Sequence, residues 1–343
     1  MPSLYLSTPG TRAHLVGEHL EVEIPLELAD DTNTDSNIAR PNLRRIPLHD
    51  IEQVVADVRA GLTLPAIAAF AERNVPVVLV DSSARAVALC LPPAPDLPTR
   101  LTHYQSRLSP DFPLHIARTL VEAKIANCRR LLQRLAANRG QPAPFAVAQL
   151  EPLRARALSA GSVETCRGYE GTAAGIYFEA LAAYFPPGAP FERRSRRPPH
   201  NAANALLSFA YSLLTHETTT ALHAAGLDPA LGYLHEPETG RPSLALDLIE
   251  PFRAPLADGL ALDLLNHGTL KADVHFEPRN GGVYLNLDGR RRFFTAYERR
   301  MDRPFTSDLT GERTTLRDEI RRQVYSLKRH LLGQGDFDPF IMN

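Results

Sequence analysis

The chain has 343 residues and a mass of 37.8 kDa, enough for a sizeable core and for two domains. Hydrophobic residues at 44% and charged residues at 22% exclude a disordered tail, a collagen-like repeat and a coiled-coil rod. A net charge of −1 conceals an asymmetry: residues 1–95 hold 7 Lys/Arg against 12 Asp/Glu, and the remainder 31 against 27, so a polyanionic partner is expected on the second part.

No run approaches the roughly 18 apolar residues of a spanning helix. The opening stretch MPSLYLSTPGTR lacks the basic and apolar regions of a secretory leader. Cys90, Cys128 and Cys166 are too scattered for a disulfide framework or a thiolate zinc site. A cytoplasmic protein without a membrane segment is the expectation.

In chain order, Leu4–Leu6 and His19–Ile24 alternate as strands, and Gly10 and Gly17 between them predict hairpins. Further strands are expected at Arg45–Leu48 and Ile51–Val55, then a helix opening at Pro65. Strand character returns at Val75–Val80, with Pro76 tolerated by edge pairing, and at Ala86–Leu91 across a turn at 81–85. Four prolines between Leu91 and Pro98 read as an extended linker over 92–98. Helices are predicted over Pro113–Asn138, Val163–Phe185, Asn204–Ala225, Ser243–Leu265 and Thr314–Leu332, with a small hairpin inside 273–288. The fold class is therefore α+β: a strand-rich domain at 1–91, the linker, and a helical domain at 99–343.

Four segments have the residue types for chemistry. Gly168–Phe178 reads as a helix with Gly171, Ala174 and Gly175 on one side. Each such glycine costs about 1 kcal/mol against alanine, which close approach of another helix would offset. Glu170 stands at the edge of that face, either a partly buried carboxylate or a solvated one. His235 follows a short apolar run and precedes the turn-rich Pro237–Gly240, a fixed but accessible place for an imidazole ligand, although one histidine among twelve is a weak signal. Asp247 and Glu250, three apart, share a helix face and repel unless a cation or a basic side chain lies between them. A divalent metal shared with Glu170 and His235 is the economical explanation; pairing with Arg241 or Arg253 is the plain one. Pro251 would free the carbonyl of Asp247, bend the chain and re-aim Glu250. Arg193, Arg194, Arg196 and Arg197 fall within five positions and suit phosphate contacts. A second basic stretch, Arg290–Arg292 with Arg299, Arg300 and Arg303, suits a polyanion or an ordinary helix surface. No phosphate loop, dinucleotide fingerprint, nucleophile elbow or HExxH is present.

In this order, GYEGTAAGIYF, RRSRRPP with NALLSFAYSLL, GLDPALGYLH and GRPSLALDLIEPFR resemble the motifs of the CRISPR-associated spacer-acquisition integrase family, over nearly the whole chain. Lys124, Asn127 and the Tyr297–Met301 run are similar as well. The resemblance implies an N-terminal β-sandwich domain and a larger all-helical catalytic domain. It implies that Glu170, His235 and Glu250 hold Mg²⁺ or Mn²⁺, that Asp247 is a further acidic residue of the catalytic set, and that the four arginines at 193–197 grip a DNA backbone. It also implies a homodimer, double-stranded DNA as prespacer and CRISPR repeat, and a small ferredoxin-like adaptation partner. The expected reaction is attack of a 3′-hydroxyl of captured DNA on a repeat-boundary phosphodiester, or cleavage when water attacks. The alternatives are a catalytically silent DNA-binding subunit of the same machinery and a helical hydrolase acting on nucleotides. One departure is local: where family members often have Asp-Pro before the Asn-Ala-Leu motif, this chain has Asn201-Ala202.

Overall fold

Alternating side chains build the first unit: in β5 (Gln53–Asp57), Val54 and Ala56 enter one apolar cluster and Val55 the one on the opposite face. The computed structural model describes residues 3–25, 42–82, 86–90 and 96–342, divided into two compact units, Met1–Pro93 and Ala94–Asn343.

In the first unit, β1 (Ser3–Leu6), β5, β7 (Val77–Val80) and β8 (Ala86–Cys90) form one four-stranded sheet in the order β1-β5-β7-β8. The other contains β2 (Arg12–Val16), β3 (His19–Ile24), β4 (Asn42–Pro47) and β6 (Gly61–Leu62), in the order β4-β3-β2-β6. Helix α1 (Leu64–Glu72) joins both sheets in a single core that includes Leu6, Leu20, Val22, Phe70 and Val77. Two sheets around one core match the sandwich-like expectation, with two corrections of detail. Gly17, at φ 59°, turns the β2–β3 hairpin, but β1 pairs in parallel with β5 and forms no hairpin across Gly10. Pro76 needs no edge: β7 lies between β5 and β8, and the proline just before it accepts from the Val54 amide at 2.9 Å, so its missing donor is not required. Residues 83–85 of the expected turn, Leu91 of the expected strand and 92–95 of the expected linker lie outside the described residues.

In the second unit the remainder of that linker is already helical. Asp96 caps α2 (Leu97–Ser106) by accepting from the Thr99 amide at 3.1 Å, and Pro98 sits in the first turn, where a missing N–H costs nothing. The 28-residue α3 (Asp111–Asn138) packs along α4 (Phe145–Leu158), which was not foreseen, and along α5 (Val163–Ala182). Before α6 (Ala202–Ala224), Asn201 caps the helix by accepting from the Asn204 amide at 2.9 Å, so the departure noted above keeps a capping side chain.

The stretch expected as one helix from Ser243 is broken into α7 (Ser243–Leu248), α8 (Glu250–Phe252), a π-helical turn at Arg253–Asp258 and α9 (Gly259–Asn266). Pro251 and Pro255 are the cause, because each removes an amide donor from the helical ladder. A hairpin of β9 (Phe276–Arg279) and β10 (Gly282–Leu285) precedes α10 (Leu287–Met301) and α11 (Leu316–Leu331). Among the described residues no helix is long and apolar enough to cross a membrane, and the three cysteines are free.

Candidate active site

The site assembles on α3. Lys124 is buried there, and its ammonium donates to Glu170 Oε1 on α5 and lies 2.6 Å from Glu250 Oε2 on α8. Glu250 is 2% exposed, and its other oxygen is 2.8 Å from Arg253 Nη1. Burial alone would raise the Glu250 carboxyl, but Arg253, Lys124 and His235 override it and hold the group at about 2. Burial likewise pulls Lys124 down, and the charges of Glu250 and Glu170 outweigh it, leaving the ammonium above its ordinary value. Buried as it is, Glu250 Oε2 faces the Lys124 ammonium.

Asp247 has a different task from Glu250. The helix break after Leu248 separates the two, and Asp247 is fully buried with both oxygens engaged. It accepts from the amides of Tyr233, Leu234 and His235 at 2.6, 2.9 and 2.8 Å, and lies 2.6 Å from His235 Nδ1. The carboxylate thus fixes the loop that presents His235 and turns Nε2 outward. Gly232 lets this loop close, because a Cβ there would stand 2.7 Å from the His235 carbonyl and 2.8 Å from Ser243. An amide at position 247 would set a donor against donors. Asp247→Asn is therefore expected to cost about 1–3 kcal/mol, read as a lower thermal midpoint, together with about a 10- to 100-fold loss of activity.

Behind the carboxylates lies a cluster that sequence reasoning missed. Asp258 accepts from Tyr177 Oη at 2.7 Å and Tyr211 Oη at 2.6 Å, and the guanidinium groups of Arg253 and Arg194 stand 4.9 and 5.4 Å from the Tyr211 ring centroid. The one available signal was an acid inside the apolar run Ala254–Leu262. Burial raises the Asp258 carboxyl to about 6 from 3.8, against the opposing tyrosine hydroxyls. Between those values the folded chain holds a proton that the unfolded chain has released, so this group's contribution to stability falls as pH rises through the window. Asp258→Asn should remove that slope, worth about 3 kcal/mol in all, as followed by denaturant midpoints from pH 4 to 6.5.

The arginines divide. Arg194 is committed to the fold: it donates to Ser195 O, Asn204 Oδ1 and Ser208 Oγ. Arg193, Arg196 and Arg197 are exposed. The proline end of this loop is fastened to the β9–β10 hairpin, where the Pro199 carbonyl accepts from the Val283 amide at 2.8 Å and a Cβ on Gly282 would meet Pro198. In the second basic stretch, Arg292 pairs with Asp288 and Arg300 with Asp263, while Arg290 is buried. The glycine-face expectation fails: among the described residues a Cβ at Gly168, Gly171 or Gly175 would meet nothing within 4 Å, so no helix of these packs closely there.

The chain thus combines a strand-rich unit with a helical unit in which two carboxylates meet at one ammonium and the His235 imidazole is held by a buried carboxylate. Residues 4–299 match the family described as CRISPR associated protein Cas1, and the chain belongs to that family. It is 39% identical over 245 residues to a Cas4 exonuclease/Cas1 endonuclease fusion of Geobacter sulfurreducens, a match covering 69% of this chain and 44% of that protein. It is 36% identical to a Cas1 endonuclease of Thermus thermophilus over 305 residues, or 88% of this chain and 90% of the other. Among solved structures it resembles a casposase bound to its integration product, with a TM-score of 0.84 and 25% identity over 98% of this chain and 93% of that one. A chain of a Cas6-RT-Cas1–Cas2 complex is similar with a TM-score of 0.80 and 25% identity, over 100% of this chain and 36% of that one.

Glu170, His235 and Glu250 do not form a finished ligand shell in this arrangement. Among the described residues, no three His, Cys, Asp or Glu side chains are grouped closely enough to hold an ion, and the Lys124 ammonium fills the gap between the carboxylates. Their chemistry nevertheless fits a divalent metal. Two carboxylates converge on one cation, and His235 Nδ1 is bound to Asp247, a pairing that leaves Nε2 as the ring nitrogen able to take an ion.

Proposed function

We propose that this chain is a metal-dependent DNA endonuclease and integrase of CRISPR adaptation, inserting captured DNA into a CRISPR array by 3′-hydroxyl attack on a phosphodiester. The observation that carries this reading is the convergence of Glu170 and Glu250 on one cationic point, together with a His235 imidazole oriented by Asp247. Relatives named as Cas1 endonucleases and a similar casposase bound to an integration product support it.

In this reading Glu170, Glu250 and His235 Nε2 hold Mg²⁺ or Mn²⁺, with Asp247 positioning the histidine. The bound metal supplies Lewis-acid stabilisation of charge on the phosphoryl oxygens. Arg253 keeps Glu250 ionised, so that the carboxylate is available to a cation throughout the neutral range. Arg193, Arg196 and Arg197 meet the DNA backbone, whereas Arg194 holds their loop in shape. Double-stranded prespacer and repeat DNA, a second copy of this chain and a small ferredoxin-like adaptation partner complete the assembly. The Cas1–Cas2 complex containing a similar chain supports that partner.

The test is transfer of a labelled duplex oligonucleotide into a repeat-bearing plasmid, with and without the partner, in Mn²⁺, Mg²⁺ or chelator. Metal-dependent joined product is expected, and metal-dependent DNA binding without any joined or cleaved strand would sink the catalytic reading. In the same assay Arg196→Ala and Arg197→Ala should each lower the slope of log K against log salt by about 0.9. Arg194→Ala should instead lower the thermal midpoint.

A further inference from the structure

The helix that holds Glu250 is incomplete, and the way its loose carbonyls are satisfied identifies additional residues of the site. In a continuous helix the Pro251 carbonyl would accept from the amide four residues on, but position 255 is proline. The Leu248 carbonyl loses its partner because the Phe252 amide bonds to Ile249 O at 2.9 Å instead. Both carbonyls flank Glu250, and both are taken by buried side-chain amides from other helices. Asn127 on α3 donates to Pro251 O at 2.7 Å, and Gln323 on α11 donates to Leu248 O at 2.7 Å. Asn127 is 0% and Gln323 1% exposed, so neither bond competes with water.

Each amide also grips the segment that follows α11. Gln323 Oε1 accepts from the Phe340 amide at 2.9 Å, Asn127 Oδ1 accepts from the Met342 amide at 2.7 Å, and Asn127 Nδ2 donates to Phe340 O at 2.9 Å. Phe340 then stacks on Phe252, with centroids 4.7 Å apart and planes 8° from parallel. The same two side chains therefore connect residues 340–342 to the backbone on both sides of Glu250.

We propose that Asn127, Gln323 and Phe340 are positioning residues: they fix the broken helix so that the Glu250 carboxylate points at the shared cation position. This rests on the metal-site reading above only for its catalytic consequence. The carbonyls could have been left to water, but they lie in a dry core where an unmet acceptor is costly, so the grip is strong and directional.

The test uses the full chain carrying Gln323→Met, Asn127→Leu or, as the milder change, Phe340→Leu. Amide hydrogen exchange over residues 249–258 in chelator reads the positioning without metal or activity. Exchange about tenfold faster there, with α4 unchanged, is expected from the loss of one such bond. In parallel, the Mn²⁺ concentration for half-maximal cleavage should rise about tenfold, with the rate at saturating metal and the affinity for duplex DNA close to those of the parent; a general loss of structure would move all three. Unchanged exchange at 249–258 in every folded variant overturns the proposal. So does an activity loss that added Mn²⁺ leaves untouched. Faster exchange in variants of a parent that shows no metal-dependent cleavage would uphold the positioning and overturn the metal-site reading instead.

Discussion

Glu170→Gln is expected to lower metal-dependent cleavage and strand transfer by about 10³-fold or more while the chain stays folded and still binds duplex DNA. Glu170 is partly exposed and gives Lys124 only one of its two carboxylate partners, so the substitution removes a proposed metal donor without orphaning a buried charge. Glu250→Gln should abolish activity to the same degree but also destabilise, because Lys124 and Arg253 are both buried against that carboxylate. Breaking a buried pair costs about 3–5 kcal/mol. Glu250 is ionised down to about pH 2 in the folded chain against an ordinary 4.5, so its stabilising effect is full above pH 4.5 and is lost as pH falls toward 2. Joining of DNA at parental rates by Glu170→Gln would end the assignment of roles; a thermal-midpoint comparison of the two variants separates the catalytic loss from the structural one.

Lys124→Met gives the second large effect, and its size depends on metal. In chelator, Glu170 and Glu250 then face each other without a cation between them, and the loss should be about 3 kcal/mol or more. Adding Mn²⁺ should restore most of this, since a ligand at about 100 times its dissociation constant stabilises by about 2.7 kcal/mol. The parent, whose carboxylates already have a cation, should gain less, because in the proposed site the ion would compete with the ammonium for the same oxygens. Thermal unfolding with and without Mn²⁺ measures the difference. Equal metal-induced shifts in the two proteins would show that Lys124 does not occupy the metal position.

The strand–helix division of the chain, the long α3 and the hairpin at β9–β10 were legible because periodicity and punctuation by glycine and proline are local properties. The break near Glu250 was legible in part. Pro251 marked a bend, but the π-helical turn up to Asp258 depended on Pro255 and on packing against α3. The close-packed glycine face on α5 was a misreading of the same kind: small residues permit a neighbour, and only the fold decides whether one comes. Likewise four arginines in a row of five looked equivalent, and Asn204 and Ser208, one and two turns into the next helix, singled out Arg194.

What residue order alone settles here is which groups are available: the acids at 170, 247 and 250, the imidazole at 235, and the helices and loops that bear them. Which group does what was decided by chain segments meeting across long sequence separations. Lys124 comes between Glu170 and Glu250, three amides and an imidazole converge on Asp247, and two buried side-chain amides catch the carbonyls beside Glu250. Hydrogen bonds and ion pairs act over about 3–4 Å, and no local pattern records which distant atoms come within that reach.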